Sequence, residues 1–333
     1  MSTSLSRVLV TGANGFIGTA LCEVLERHGH GVIAVVRPSS LFKTSTPQNV
    51  VRLELMQNEA QWLATMESVD CVVHLAAHVH RMNELADQIS RYRAVNSQGA
   101  GFVAERAAAA HVKRFVLLST IKVNGEGGEN VRYGPASQPC PQDEYGKSKL
   151  EAENSVRQIC DEAGMQYVCI RPPLVYGPGA PANFSRLMWL ASLGIPLPLK
   201  SVRNKRSFVG VQNLVALIET CILHEAAAGG TWLVSDGEDV STPDLLRRLA
   251  KHLKRPVRLF SCPPPALRMV GNALGKRAEV DRLCDSLQID ISSTTALLNW
   301  QPPVSLDGEL AITAASYLTG NNLGRRTGYS SEK

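Results

Sequence analysis

Arg7-Val8-Leu9-Val10-Thr11-Gly12-Ala13-Asn14-Gly15-Phe16-Ile17-Gly18 decides the fold. It opens with an apolar, β-branched run of the kind that forms a buried parallel strand. From Phe16 the period changes, and Ile17, Leu21, Val24 and Leu25 recur at helical spacing. Three glycines fall at the joint. Gly12 permits a tight turn, Gly15 lets the backbone approach a pyrophosphate, and Gly18 lets the helix pack closely on the strand. The helix N-terminus then offers orphan N–H groups and the positive end of its dipole to an anion. Strand, glycine turn and helix in this order predict a dinucleotide site at the start of an α/β fold.

The G-x-x-G-x-x-G spacing resembles the short-chain dehydrogenase/reductase superfamily, in particular its extended branch acting on nucleotide sugars. That resemblance adds Asn14, Phe16 and Ile17 to the glycines as cofactor contacts. Val32 to Val36 reads as a second buried strand ending at Arg37, where the adenosine ribose is expected. An acidic residue there suits the 2′-hydroxyl of NAD, whereas an Arg suits a 2′-phosphate. Arg37 therefore favours NADP(H), with NAD(H) possible.

Val50 to Leu53 reads as a third strand and Glu59 to Glu67 as a short helix. Between them Glu54-Leu55 matches the acid-apolar pair that the family places against the adenine. Asp70 to Ala77 is a fourth strand, and its His-Leu-Ala-Ala end resembles the family motif whose backbone passes the cofactor at Leu75, Ala76 and Ala77. His74 reads as a packed histidine rather than a base, while His78 and His80 lie nearer the presumed substrate. Glu84 to Ala110 reads as one or two helices. Asn96 inside it is a mediocre helix former, and it matches the family's Asn that orders the active-site hydrogen bonds. By resemblance, this segment and the helix after Tyr145 form the four-helix bundle of a homodimer.

Phe115 to Thr120 is a further strand, and 25 residues past Thr120 comes Tyr145-Gly146-Lys147-Ser148-Lys149, opening a helix. Tyr and Lys four apart share a helical face, so an ammonium can lie near a phenol. Lowering a phenol from about 10 to about 7 is worth roughly 4 kcal/mol, a shift that nearby positive charge supplies. The pattern matches the superfamily's Ser/Thr and Tyr-x-x-x-Lys triad. It implies Tyr145 as proton donor and acceptor, Lys149 on the nicotinamide ribose, and Thr120 holding the substrate oxygen. Ser119, beside it, could exchange roles with Thr120 and is counted with the cofactor's residues.

After the catalytic Thr, sugar 4,6-dehydratases carry an Asp-Glu pair, and here Ile121-Lys122 stands instead. The string Ile121 to Glu126 resembles the branch containing reductases of UDP-linked 4-keto-6-deoxy amino sugars of surface polysaccharides (O-antigen). The expected activity is C4 reduction of a UDP-4-keto-6-deoxy-N-acetylhexosamine. A UDP-glucose or UDP-GlcNAc 4-epimerase is the alternative, and a non-catalytic NAD(P)-sensing module is an alternative of another class. Val168 to Arg171 is a sixth strand, closed by a Pro172-Pro173 motif that resembles the family's and brings Pro172 to the cofactor. His78, Lys122, Asn183, Arg206 and Arg282 are the expected substrate contacts, the last three on the diphosphate, for which a guanidinium is well shaped.

At 333 residues the chain has room for two lobes. A doubly wound parallel Rossmann sheet is expected over 1–171, with 209–235 returning to it. A smaller, loop-rich α/β substrate lobe is expected over 172–318, and a flexible tail over 319–333. A hydrophobic content of 44% without a long apolar run argues against a membrane span. A net charge of +5 without a sustained basic run argues against nucleic acid as a partner. Eight scattered cysteines without a C-x-x-C read as reduced thiols with no metal site. No secretory pattern follows Met1, so a cytoplasmic location is expected.

Overall fold

The strand Arg7–Thr11 (β1) lies inside a seven-stranded parallel sheet. It was located in a computed structural model that describes residues 6–40, 47, 49–78, 85–129 and 131–326, the side chains of 85–88, 182, 183 and 320–326 excepted. Gly31–Val36 (β2), Val50–Arg52 (β3), Cys71–His74 (β4) and Arg114–Leu118 (β5) follow in sequence. Across the sheet the order is Thr231–Leu233, Gln166–Arg171, β5, β4, β1, β2, β3. The order reverses direction between β1 and β4, and the open end of such a reversal is where a doubly wound sheet binds its ligand.

Side chains alternate across β1, so Val8 and Val10 enter one core and Leu9 the other. On the first face Phe16–Arg27 (α1) buries Leu21 and Leu25 against the helix Val211–Leu223. Each is wholly buried, worth about 1.5–3 kcal/mol. The second face is covered by Glu59–Met66 (α2), Gly99–Ala109 (α4) and Glu144–Ala163 (α5). Leu85–Tyr92 (α3) runs into α4 through a π-helical turn, Arg93–Gln98. Thr231–Leu233 pairs with Gln166–Arg171 at the sheet edge.

Beyond Arg171 the chain builds a three-stranded sheet, ordered Asp239–Val240, Arg206–Gly210, Leu174–Tyr176. The helices Ala182–Ser192, Thr242–His252 and Leu306–Arg326 pack on it through Phe184, Met188, Leu246 and Leu310. This part is more helical than its prolines suggest. Pro243 and Pro264 sit in first turns, where a missing N–H costs nothing, so they start helices instead of breaking them. The loose tail expected from 319 is also helical as far as Arg326, since extending a helix already nucleated is inexpensive. Residues 327–333 lie outside the described residues.

The C-terminal helix also caps the Val211–Leu223 helix. Glu309 Oε1 accepts from the N–H groups of Gln212 (3.0 Å) and Asn213 (3.3 Å). Beside it Asp236 accepts from Gly210 N, Asn213 Nδ2 and Tyr176 Oη. Burial, with the Asp236 charge adding, raises the Glu309 carboxyl to about 7.

Candidate active site

The glycine turn fits a dinucleotide. Gly12 has φ +67°, and a Cβ on it would lie 2.9 Å from the Ala76 nitrogen and 3.0 Å from the Leu75 carbonyl carbon. Only glycine lets β1 pass so close to the segment leaving β4. A Cβ on Gly18 would meet Ala13 Cα at 2.7 Å, which holds α1 against the turn. Asn14 and Gly15 are exposed at the tip, and α1 has no side-chain cap, so its first N–H groups remain open to an anion. Phe16 and Ile17 are half-buried behind it. The site sits at the sheet reversal, beside half-buried Leu75, Ala76, Ala77 and His78. Arg37 is exposed immediately beyond β2, and Glu54-Leu55 follow β3, half-buried.

Thr11 Oγ1 lies 3.0 Å from His74 Nδ1 and accepts from Ala76 N, fixing the exit from β4. The His74 ring is stacked on Phe115, and burial lowers its pKa to about 3, so it stays neutral. That matches its reading as a packed histidine. His80 lies outside the described residues.

Asn96 is buried, not a surface residue of a regular helix. The π-helical turn aims it inward, where Oδ1 accepts from His78 N (2.7 Å) and Nδ2 donates to His78 O and to Ser148 Oγ. Ser148 Oγ in turn donates to Tyr145 O. A single amide thus joins the β4 exit to the first turn of α5. The extra residue of a π turn is a recurrent device at functional sites.

Asp143 caps α5 by accepting from Gly146 N at 2.7 Å. Tyr145 and Lys149 follow on one face. The Tyr145 ring meets Tyr92 edge-on at 5.9 Å, and Tyr92 meets the His78 ring at 5.5 Å. The depressed phenol expected from the Tyr-Lys spacing is not what this chain's own groups produce. Burial raises the Tyr145 pKa, with Asp143 and Tyr92 pushing the same way. Lys149 is 2% exposed, and burial lowers its ammonium to about 8. Dry surroundings oppose both charged forms.

Thr120 and Ser119 part company here. Thr120, half-buried, lies two residues beyond β5 and caps the turn Ile121–Val123. Ser119 is buried and its hydroxyl donates to Glu153 Oε1, so the two cannot exchange roles while that bond stands. Glu153 and its partner Arg171 were not singled out in the sequence. The Pro172 carbonyl, next in the chain, accepts from Ile121 N.

Three of the expected substrate contacts, Lys122, Arg206 and Arg282, form a second cluster. Lys122 Nζ pairs with Glu126 Oε1 (2.8 Å) and Asp143 Oδ2 (2.5 Å). Arg206 donates to the carbonyls of Arg282 and Asp285. Its pKa is lowered by burial and by the Arg282 charge, against opposing pulls from Asp285 and Glu126. Lys122 and Arg206 therefore share Glu126 as a charge neighbour, with exposed Arg282 beside them. Asn183 lies near the start of the helix Ala182–Ser192, and its side chain is outside the described residues. Among the described residues no group of three or more His, Cys, Asp or Glu is placed to hold a metal ion, and no helix is long and apolar enough to cross a membrane.

A family model for the NAD dependent epimerase/dehydratase family matches residues 8–235, which hold both the glycine turn and the Thr-Tyr-Lys constellation. The chain belongs to that family. It is thus an enzyme of the NAD-dependent epimerase/dehydratase kind. Over 320 residues, this family member is 39% identical to the UDP-glucose 4-epimerase of Vibrio cholerae, covering 95% of this chain and 96% of that one. Its fold matches MoeE5 in complex with UDP-glucuronic acid and NAD, with a TM-score of 0.74 at 23% identity over 94% of this chain and 99% of that one. It also matches the UDP-glucuronic acid 4-epimerase of Bacillus cereus in complex with NAD, with a TM-score of 0.72 at 21% identity over 94% and 99%.

Proposed function

We propose that the chain is a NAD(P)-dependent oxidoreductase acting at C4 of a UDP-hexose, reducing a UDP-4-keto-6-deoxy-N-acetylhexosamine for surface polysaccharide. What supports the redox reading is that α5, which carries Tyr145 and Lys149, packs on the turn that follows Thr120, with Lys149 acting on His74, the partner of Thr11 just before the glycine turn. When bound, the nicotinamide supplies or takes the hydride. Tyr145 gives its proton to the C4 oxygen in reduction and takes one in oxidation. Thr120 orients that oxygen, and Lys149 holds the ribose. Asn183, Arg206 and Arg282 serve the UDP diphosphate, Lys122 is a further substrate contact, and His78 borders the sugar. Dehydration is disfavoured because the carboxylates near Thr120, Glu126 and Asp143, are engaged by Lys122.

Reduction with NADPH is favoured by Arg37, whose place after β2 suits a 2′-phosphate. Arg37→Asp is expected to lower the NADP/NAD ratio of kcat/KM at least tenfold, and an unchanged ratio removes the argument. A 4-epimerase is the second reading, favoured by the Vibrio cholerae relative that this chain matches along almost its whole length. Incubation with UDP-glucose, UDP-GlcNAc and a UDP-4-keto sugar, with and without NADPH, separates them. Stoichiometric NADPH loss identifies the reductase. Interconversion at C4 without net loss identifies the epimerase, and no turnover of any substrate leaves a cofactor-sensing module. We assign a homodimer through α4 and α5, which sedimentation at micromolar concentration tests.

A further inference from the structure

Behind the catalytic face lies a buried ion pair that the proton transfer does not use. Arg171 donates from Nε to Glu153 Oε1 at 3.0 Å and from Nη2 to Oε2 at 2.5 Å. Ser119 Oγ donates to the same Oε1, and Arg171 Nη1 donates to Asn124 Oδ1 at 3.1 Å. Glu153 is 3% exposed and Arg171 8%. The network joins three segments that carry site residues. Ser119 precedes Thr120, Arg171 precedes Pro172, and Glu153 stands one helical turn beyond Lys149 on α5.

Stability alone does not call for such a pair, since well-packed apolar residues of similar volume serve a core as well or better. What the pair supplies is a carboxylate that cannot turn away, on the same buried face as an ammonium. We propose that Glu153 is a positioning residue of the reaction: clamped by Arg171 and Ser119, its carboxylate keeps the Lys149 ammonium charged in a site that otherwise discharges it. Four titratable groups face Lys149: Tyr145 and Glu153 on α5, Cys169 on the neighbouring strand and His74 on β4. His74 is neutral and the Cys169 thiol is pushed up by burial, so neither carries charge near neutral pH. Of the four, only Glu153 is held in an ion pair, with Arg171. Burial lowers Lys149 to about 8, so the carboxylate acts close to the working pH.

The inference rests on the proposed function for the use made of Lys149, but its test does not. NMR of the full-length chain labelled with 13C-lysine follows the Lys149 Cε shift with pH, alongside the pH profile of kcat/KM. Glu153→Gln is expected to lower the Lys149 midpoint by about one unit, a tenfold change in its protonation constant. The basic limb of the pH profile should move down with it. Should that variant fail to fold, Glu153→Gln/Arg171→Met removes both buried charges and is read in the same way, with a downward shift again expected. A Lys149 midpoint unmoved in a folded variant, with only the melting temperature lowered, leaves Glu153 as mere packing and overturns the proposal. A shifted midpoint in a protein that turns over no UDP-sugar sinks the proposed function and leaves this inference standing.

Discussion

Tyr145 holds its proton tightly because the partial burial of its phenol opposes the phenolate, and the Asp143 charge opposes it too. The cofactor-free protein should therefore show no phenolate from this residue below about pH 10 in a difference titration against Tyr145→Phe. In turnover, removing the phenol is expected to lower kcat about 10²- to 10⁴-fold, the usual contribution of a positioned proton donor. NAD(P) affinity measured by fluorescence should be retained, and a wild-type rate for Tyr145→Phe contradicts the assigned role. The Tyr-Lys pair is readable in sequence because helical periodicity puts positions four apart on one face. Glu153 obeys the same rule from Lys149, yet nothing local tells a buried carboxylate from a solvated one. That difference depends on Arg171 and Ser119, brought from strands 18 and 34 residues away.

At the level of elements, the joint between β1 and α1 has the least tolerance. Gly18→Ala pushes a methyl into Ala13 and the Gly12 carbonyl, with neighbouring backbone that cannot yield. We expect a loss of about 1–3 kcal/mol in urea unfolding, with weaker NAD(P) binding because the turn must open. Full stability and affinity in this variant would mean that the packing is looser than described. This joint is written plainly in the chain, since three glycines between a strand period and a helix period leave few conformations. The π-helical turn at Arg93–Gln98 is not. Its length looks like ordinary helix, and the inward aim of Asn96 arises from packing against His78 and Ser148, far apart in sequence. Likewise Asn299 ends the helix Ser292–Leu298 in the left-handed conformation, at φ +47°, which asparagine tolerates better than most side chains. The residues on either side of it, Leu298 and Trp300, enter the core on the first face of the large sheet.

For the molecule as a whole, the sequence reading supplied the doubly wound sheet because each of its strands is a local apolar run. The buried Asp236 and Glu309 pair was invisible, being assembled from segments 73 residues apart. The pair makes stability depend on pH. Glu309 has a folded pKa of about 7 against an ordinary 4.5, so between these values the folded chain holds a proton that the unfolded chain has released. Stability is accordingly full below about 4.5 and declines as pH rises through 7, by on the order of 3 kcal/mol. Glu309→Gln should remove this slope, so that its stability advantage over wild type grows from pH 5 to pH 8 in denaturant titrations. Parallel curves for the two proteins would show that Glu309 does not titrate in this range.

The carboxylate that seals the Val211–Leu223 helix is joined to it across 97 residues of chain. At a synthesis rate of about 5–20 residues per second, the seven-stranded sheet and its helices wait roughly 5–20 seconds after that helix is made before its last cap can arrive. During this interval a ribosome-borne chain already displays its glycine turn, while the N–H groups of Gln212 and Asn213 are still without the acid that satisfies them. Maturation of the large sheet and its helices is therefore timed by translation of the last helix.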